Sequence, residues 1–152
     1  MNDVNQIWSC TFVYMSCREQ VRSSQLETLK SLASFIDKPW ILAGDWNAYL
    51  HPEEKNGGRP LSNSSVTPLK EFANSVCISP IHQSGYQFTW TNGQFGHRRI
   101  EGKLDRFFSN VAWFNLFLDA MVTTEVVASS DHRAIILNTD RMGSKPPQPF
   151  RF

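Results

Sequence analysis

Cysteine is scarce in this chain and unpaired by pattern. Cys10, Cys17 and Cys77 form an odd set with no C-x-x-C spacing, which argues against a disulfide framework and a zinc site alike and points to reduced thiols in an intracellular protein. Long apolar runs are missing too: nothing approaches the roughly 20 residues that a membrane span needs. The opening residues MNDVNQIWSC have neither a basic n-region nor an apolar h-region, so no secretory signal is expected. There is no excess of one charge either. Fifteen Lys and Arg stand against fourteen acids, a net charge of +1, so no global basic field advertises nucleic acid or an anionic membrane, and any such binding falls to a local patch. What the chain does have is apolar substance. With 41% hydrophobic and 12% aromatic residues in 152, it can bury one sizeable core.

Helical and strand periods alternate along it. IWSCTFVYMS (7–16) is β-branched and aromatic enough for a strand. In SSQLETLKSLASFI the apolar residues Leu26, Leu29, Ala33 and Ile36 recur at three and four, and Ser24 with Glu27 reads as a capping box. Pro39 stops that helix, and 40–45 reads as a fully buried strand. HPEEKNGGRPLSNSS is a surface loop by composition. Thr67 is the expected cap of a second helix with Pro68 in its first position and Leu69, Phe72, Ala73 and Val76 on one face. YQFTWTNGQF and RRIEGKLDRFFSN look like two strands, NVAWFNLFLDAMV like a short helix, and EVVASSDHRAIILNT places a polar SSDH between two β-rich runs. Residues 7–140 are therefore expected to form the domain. The segment 141–152, with three prolines, reads as a linker or tail.

The polar residues worth attention stand at strand ends. In PWILAGDWNAYL a buried run leads straight into Asp45 and Asn47. An Asx-turn would account for them, but the end of a buried strand is also where rigid scaffolds hold reactive groups. KLDRFF sets Asp105 in an apolar strand, and SSDHRAIIL sets Asp131 beside His132 at the mouth of another. A buried carboxylate needs a partner, and His132 is the natural one for Asp105.

WILAGDWN, FTWTN, KLDRFF and SSDHRAII, in that order and spacing, resemble the C-terminal motifs of the endonuclease/exonuclease/phosphatase superfamily, which includes apurinic endonucleases, pancreatic-type DNases and inositol phosphatases. Within it, EKNGGRP, FTWTN and the closing PFRF most resemble the endonuclease of plant LINE-type non-LTR retrotransposons, over about Trp8 to Phe152. The resemblance implies an α/β (α+β) fold: part of a DNase-I-like four-layer α/β/β/α sandwich without its N-terminal strands. It further implies that Asp45 is the base that activates water, that Asn47 orients that water or the phosphate, and that His132, oriented by Asp105, touches a non-bridging phosphate oxygen. Asp131 corresponds to the acid associated with the metal, Mg²⁺ or Mn²⁺, and Tyr14 to a tyrosine facing the phosphate. In the family an Asn and a metal-binding Glu come from earlier strands. Glu19 lies in a loop, Glu27 in the helix cap, and Glu53, Glu54 and Glu101 read as solvated charges, so none of them is expected to replace that Glu.

Oxygen ligands suit a hard cation, and a carboxylate-polarised histidine suits an anionic oxygen. The expected function is therefore that of a fragment of a metal-dependent phosphodiesterase, a DNA endonuclease when complete. The implied partners are DNA, the missing N-terminal half and a downstream reverse transcriptase, in an intracellular setting, the nucleus included. Arg98, Arg99, Lys103 and Arg106 are the candidate contacts to a DNA backbone, although charges on an edge strand also protect it from pairing. Trp46 and Trp90 read as core residues before base-stacking ones. An inositol-phosphate or lipid phosphatase would call for a basic cluster near EEKNGGRP, where only Lys55 and Arg59 stand. A non-catalytic binding module is the third reading. Strands 40–45 and 133–138 are expected to expose apolar surface and make the chain associate.

Overall fold

A computed structural model of the chain describes residues 7–139, so the proline-rich 141–152 lies outside the described residues. Along the chain run β1 (Ser9–Tyr14), α1 (Glu19–Ala33), β2 (Trp40–Asp45), a 3-10 turn (Pro52–Glu54), β3 (Lys55–Asn56), α2 (Asn63–Ser75) and β4 (Ile78–Pro80). Then follow β5 (Trp90–Thr91), a second 3-10 turn (Gly96–Arg98), β6 (Glu101–Gly102), β7 (Asp105–Asn110), α3 (Val111–Leu116), β8 (Met121–Val126) and β9 (Arg133–Asn138). The main sheet has the order β1-β2-β7-β4, with β1 parallel to β2 and the other pairings antiparallel. Two small sheets, β3-β6-β5 and β8-β9, complete an α+β architecture.

Strand alternation builds the layers. Trp40 and Leu42 of β2, with Phe108 of β7, join Leu26 of α1 and Leu69, Phe72 and Ala73 of α2 in one core. Ile41 faces the other way, into a second core with Trp113 and Val122, against which Phe107, Ile135 and Leu137 pack. The main sheet is thus covered by α1 and α2 on one face and by β8-β9 with Trp113 of α3 on the other. Trp46, fully buried, locks the first core with its ring 4.8 Å from Phe108, and its indole N–H donates to the Arg106 carbonyl at 3.2 Å. It is a core residue.

Both long helices start earlier than their sequence signals. α1 begins at Glu19, so Ser24 lies inside it, its hydroxyl donating to the Gln20 carbonyl at 3.4 Å. It caps nothing, because a serine hydroxyl can equally well bond back to the preceding turn. α2 begins at Asn63, which puts Pro68 inside the helix. The lost N–H bond there would have gone to the exposed Ser64, near the helix start, where water can replace it.

Candidate functional site

The same alternation that buries Ile41 sends Asp45 to its face of the sheet, but at the strand end, where Asp45 is only half-buried. Register does the rest. Tyr14 pairs with Asp45 across β1 and β2, and Asp45 with Asp105 across β2 and β7. The three stand in one row, neighbours about 4.8 Å apart. Gly44 lets β1 come this close: its φ is +137°, and a Cβ there would lie 2.0 Å from the Val13 carbonyl oxygen. Past the strand, Asn47 takes a left-handed φ of 44°. Its backbone N–H donates to Asp45 Oδ1 at 2.9 Å, and its Nδ2 donates to Asp45 Oδ2 at 2.8 Å and to the Met15 carbonyl at 2.8 Å. The Asx-turn and the strand-end site are therefore one structure: the turn aims the carboxylate.

The other half of the cluster hangs on Thr89 and Trp90. Thr89 is wholly buried, and its hydroxyl oxygen accepts from the backbone N–H groups of Leu104 at 3.0 Å and Asp105 at 2.9 Å. Backbone bonds from Arg133 to the Thr89 carbonyl at 2.7 Å, and from Thr91 to the Asp131 carbonyl at 3.0 Å, clamp His132 between them, opposite Trp90. His132 Nδ1 then meets Asp105 Oδ2 at 2.9 Å. The sequence motif FTWTN contains both clamp residues, but nothing in it marks Thr89 as a hydroxyl bonded to two backbone groups.

Asp45, Asp105 and His132 bring one ligand atom each within 4.8 Å of one another. Burial raises the Asp45 pKa, and so does the neighbouring charge of Asp105, against the lowering effect of the Asn47 bonds and of His132. Two crowded carboxylates and an imidazole, partly shielded from water, are a donor set suited to a hard divalent cation, whose charge would relieve that repulsion.

Tyr14 is in the row but 81% exposed. Asp131 is not one of the three clustered ligands: its Oδ2 accepts from the Trp90 indole N–H at 3.0 Å. Arg106 contradicts its expected part in a DNA-facing patch. At 2% exposure it forms a two-pronged pair with Glu54, at 2.9 and 3.0 Å, and donates to the carbonyls of Ala48 and Lys103. Opposite Gly44 in the register, it points to the helix face of β7, away from Asp105. Lys103 is half-buried, its pKa lowered by burial and by Arg106. Arg98 and Arg99 are exposed, and Arg99 is paired with Glu101 at 2.6 Å. Glu54 and Glu101 are thus internal partners of arginines, and reading them as solvated charges was mistaken: Glu101, 5% exposed, also accepts from the Tyr86 hydroxyl at 2.5 Å. A cleft of about 380 Å³ lies over the row, lined by Tyr14, Asp45, Asn47 and His132.

The model of the Endonuclease/Exonuclease/phosphatase family matches residues 4–132. The chain belongs to this family. Among solved structures it is similar to the endonuclease domain of TRAS1, a telomere-specific non-LTR retrotransposon, with 17% identity and a TM-score of 0.63 over 88% of this chain and 56% of that one. It is also similar to beta toxin 275-280 from Staphylococcus aureus, with 14% identity and a TM-score of 0.51 over 88% of this chain and 51% of that one. At these identities the likeness is one of fold, and the chain spans about half the length of each structure it matches. No curated protein matches it. The family is typically dependent on a divalent metal. Among the described residues no helix is long and apolar enough to cross a membrane.

Proposed function

We propose that this endonuclease/exonuclease/phosphatase-family chain carries part of the active site of a metal-dependent DNA endonuclease of the retroelement type, working inside the cell on chromosomal DNA. The observation that carries the reading is the convergence of Asp45, Asp105 and His132 on one point, with Asn47 braced against Asp45. The TRAS1 likeness favours DNA as the phosphodiester. Asp45 takes the proton from the attacking water. Asn47 holds that carboxylate and offers its amide to the water or phosphate. His132, kept in one orientation by Asp105, donates from its other ring nitrogen to a phosphoryl oxygen. Mg²⁺ or Mn²⁺ held by the Asp45 and Asp105 carboxylates would supply charge neutralisation at the phosphoryl group.

The test is nicking of supercoiled plasmid by residues 1–152, alone and with the upstream half of a relative supplied, in Mg²⁺ and in EDTA. Metal-dependent nicking should appear in the supplemented sample, and Asp45→Asn and His132→Ala should each lower it by roughly 10²-fold or more. Undiminished nicking by both variants would show that the roles are wrongly assigned.

A further inference from the structure

Two Asn-Gly pairs occur in the chain, Asn56-Gly57 and Asn92-Gly93, and the fold holds them differently. An asparagine followed by glycine is chemically labile, because no side chain shields the next backbone nitrogen from the asparagine Cγ. At Asn92 both reacting groups are engaged. Its Oδ1 accepts from the backbone N–H groups of Ile100 at 3.0 Å and Gln94 at 3.2 Å, its Nδ2 donates to the Arg98 carbonyl at 2.9 Å, and the Gly93 N–H donates to Thr91 Oγ1 at 3.3 Å. Asn56 is exposed, and its side chain is held by one long bond, from Nδ2 to Glu101 Oε2 at 3.5 Å. Gly57 stands just past the last paired residue of β3, with a φ of +80°. It cannot give way to a shielding residue, since a Cβ there would lie 2.1 Å from the Arg99 carbonyl oxygen. The packing of this loop against the segment that leads into β6 therefore keeps the labile pair in the sequence.

We infer that Asn56 is a site of spontaneous modification, converted with water as the only co-reactant into aspartate and isoaspartate. The Gly57 nitrogen gives its proton to solvent base and attacks Asn56 Cγ. The new C–N bond closes a five-membered succinimide, the Cγ–Nδ2 bond breaks, and Nδ2 leaves as ammonia after taking a proton from solvent. Water then opens the ring at either carbonyl, giving aspartate, or isoaspartate with the backbone running through the former side chain. Nothing is oxidised or reduced.

The product bears on an internal network. Glu101, 5% exposed, accepts from Arg99 at 2.6 Å and from the Tyr86 hydroxyl at 2.5 Å, and the Arg133 guanidinium lies over the Tyr86 ring at 4.5 Å. Conversion replaces the amide that donates to Glu101 by a second carboxylate, which repels the first and competes for Arg99. Isoaspartate also lengthens the backbone by one carbon where Gly57 packs tightly on Arg99. Both changes lift β3 from β6.

The test incubates residues 1–152 warm at mildly alkaline pH over days, natively and in urea, followed by cleavage after glutamate and tandem mass spectrometry of the peptides. In the native sample Asn56 should convert about tenfold faster than Asn92 or more, since Asn92 must first break backbone hydrogen bonds to reach the attacking geometry. In urea the two rates should come together. The unfolding midpoint of the native sample should fall as position 56 converts. Asn56→Gln, whose longer side chain closes its ring only slowly, should hold its midpoint over the same time, and Asn56→Ser should do so too should the glutamine variant fold poorly. Asn56→Asp, which carries the new charge on an unaltered backbone, should start with a lower midpoint than the wild type. Equal native rates at Asn56 and Asn92, a difference of the same size in urea, or an Asn56→Asp midpoint equal to that of the wild type would overturn the inference.

Discussion

At the scale of single residues the site depends on groups that carry no chemistry themselves. Thr89 is the clearest: its hydroxyl oxygen serves the N–H groups of Leu104 and Asp105, both buried. Thr89→Val keeps the shape and removes the acceptor, leaving two buried donors unpaired. A loss of about 2–4 kcal/mol is expected, at the usual cost per orphaned group, read as a lower urea midpoint, and the His132 ring resonances should shift with it. An unchanged midpoint would mean that water or another acceptor takes over. Glu101 gives a second residue-scale prediction. Its pKa is lowered, chiefly by its bond from Arg99. A lowered folded value means that the ion pair's stabilisation is fully present above the ordinary glutamate value of 4.5 and is lost as pH falls through the lower folded value. The stability difference between the wild type and Glu101→Gln should therefore shrink on acidification below that point and stay level above it. A difference that grows with acid would contradict the assignment. The meeting of Asp45, Asp105 and His132 was legible in the sequence because the two acids break apolar runs, where a polar residue needs a reason, and His132 stands at the mouth of another run as the natural partner. Thr89, Glu54 and Glu101 were not. Threonine is ordinary in strands, and a glutamate in a polar segment shows nothing of the arginine that will fold over it, Arg106 from 52 residues away for Glu54 and Arg99 from two residues away for Glu101.

At the scale of elements, register decides which charges are available. Asp105 and Arg106 are adjacent in sequence, yet β7 sends the first to the site and the second into the helix-side interior, where it ties the strand to the Pro52–Glu54 turn. Removing one partner of such a pair leaves a buried charge. Arg106→Gln is expected to cost about 3–5 kcal/mol in thermal or urea unfolding, whereas the exposed Arg98→Gln should leave stability within about 0.5 kcal/mol of the wild type. If Arg98 touches a phosphate, its loss should instead flatten the slope of log affinity for DNA against log salt by about one. The opposite pattern, a stable Arg106→Gln with weakened DNA binding, would return Arg106 to the surface. The run HRRIEGKLDR looked like a basic patch because a strand pattern shows alternation but not which face is which, and the two-residue strands β3, β5 and β6 are too short to announce a register. Helix identity was legible from period; helix starts were not, since Ser24 and Pro68 are start signals that also occur inside a helix.

At the scale of the molecule, the mixture of helices with strands was legible, and so was the burial of 40–43, though not the half-exposure of 44–45 at the strand end, nor where the apolar surface would be left bare. Strand β2 is covered on both faces by the two cores, so the expectation that it would be exposed does not hold. The bare surface is on β1, an edge of the main sheet, where Cys10, Phe12 and Tyr14 share the outward face and Phe12 is 84% exposed. Val126 of β8 and Ile136 of β9 are exposed as well. An edge strand with aromatic residues on an open face is a template for another chain. Residues 1–152 are therefore expected to associate with rising concentration in light scattering. Phe12→Lys, made where the side chain contributes little to folding, should shift the population towards monomer without lowering the unfolding midpoint, because lysine on an edge opposes strand pairing and costs nothing at an already solvated position. Val13→Lys on the same strand, whose side chain packs against the helix-side core, should instead unfold the chain. Monomeric wild type at high concentration, or a Phe12→Lys variant as associated as the parent, would show that β1 is not the sticky edge.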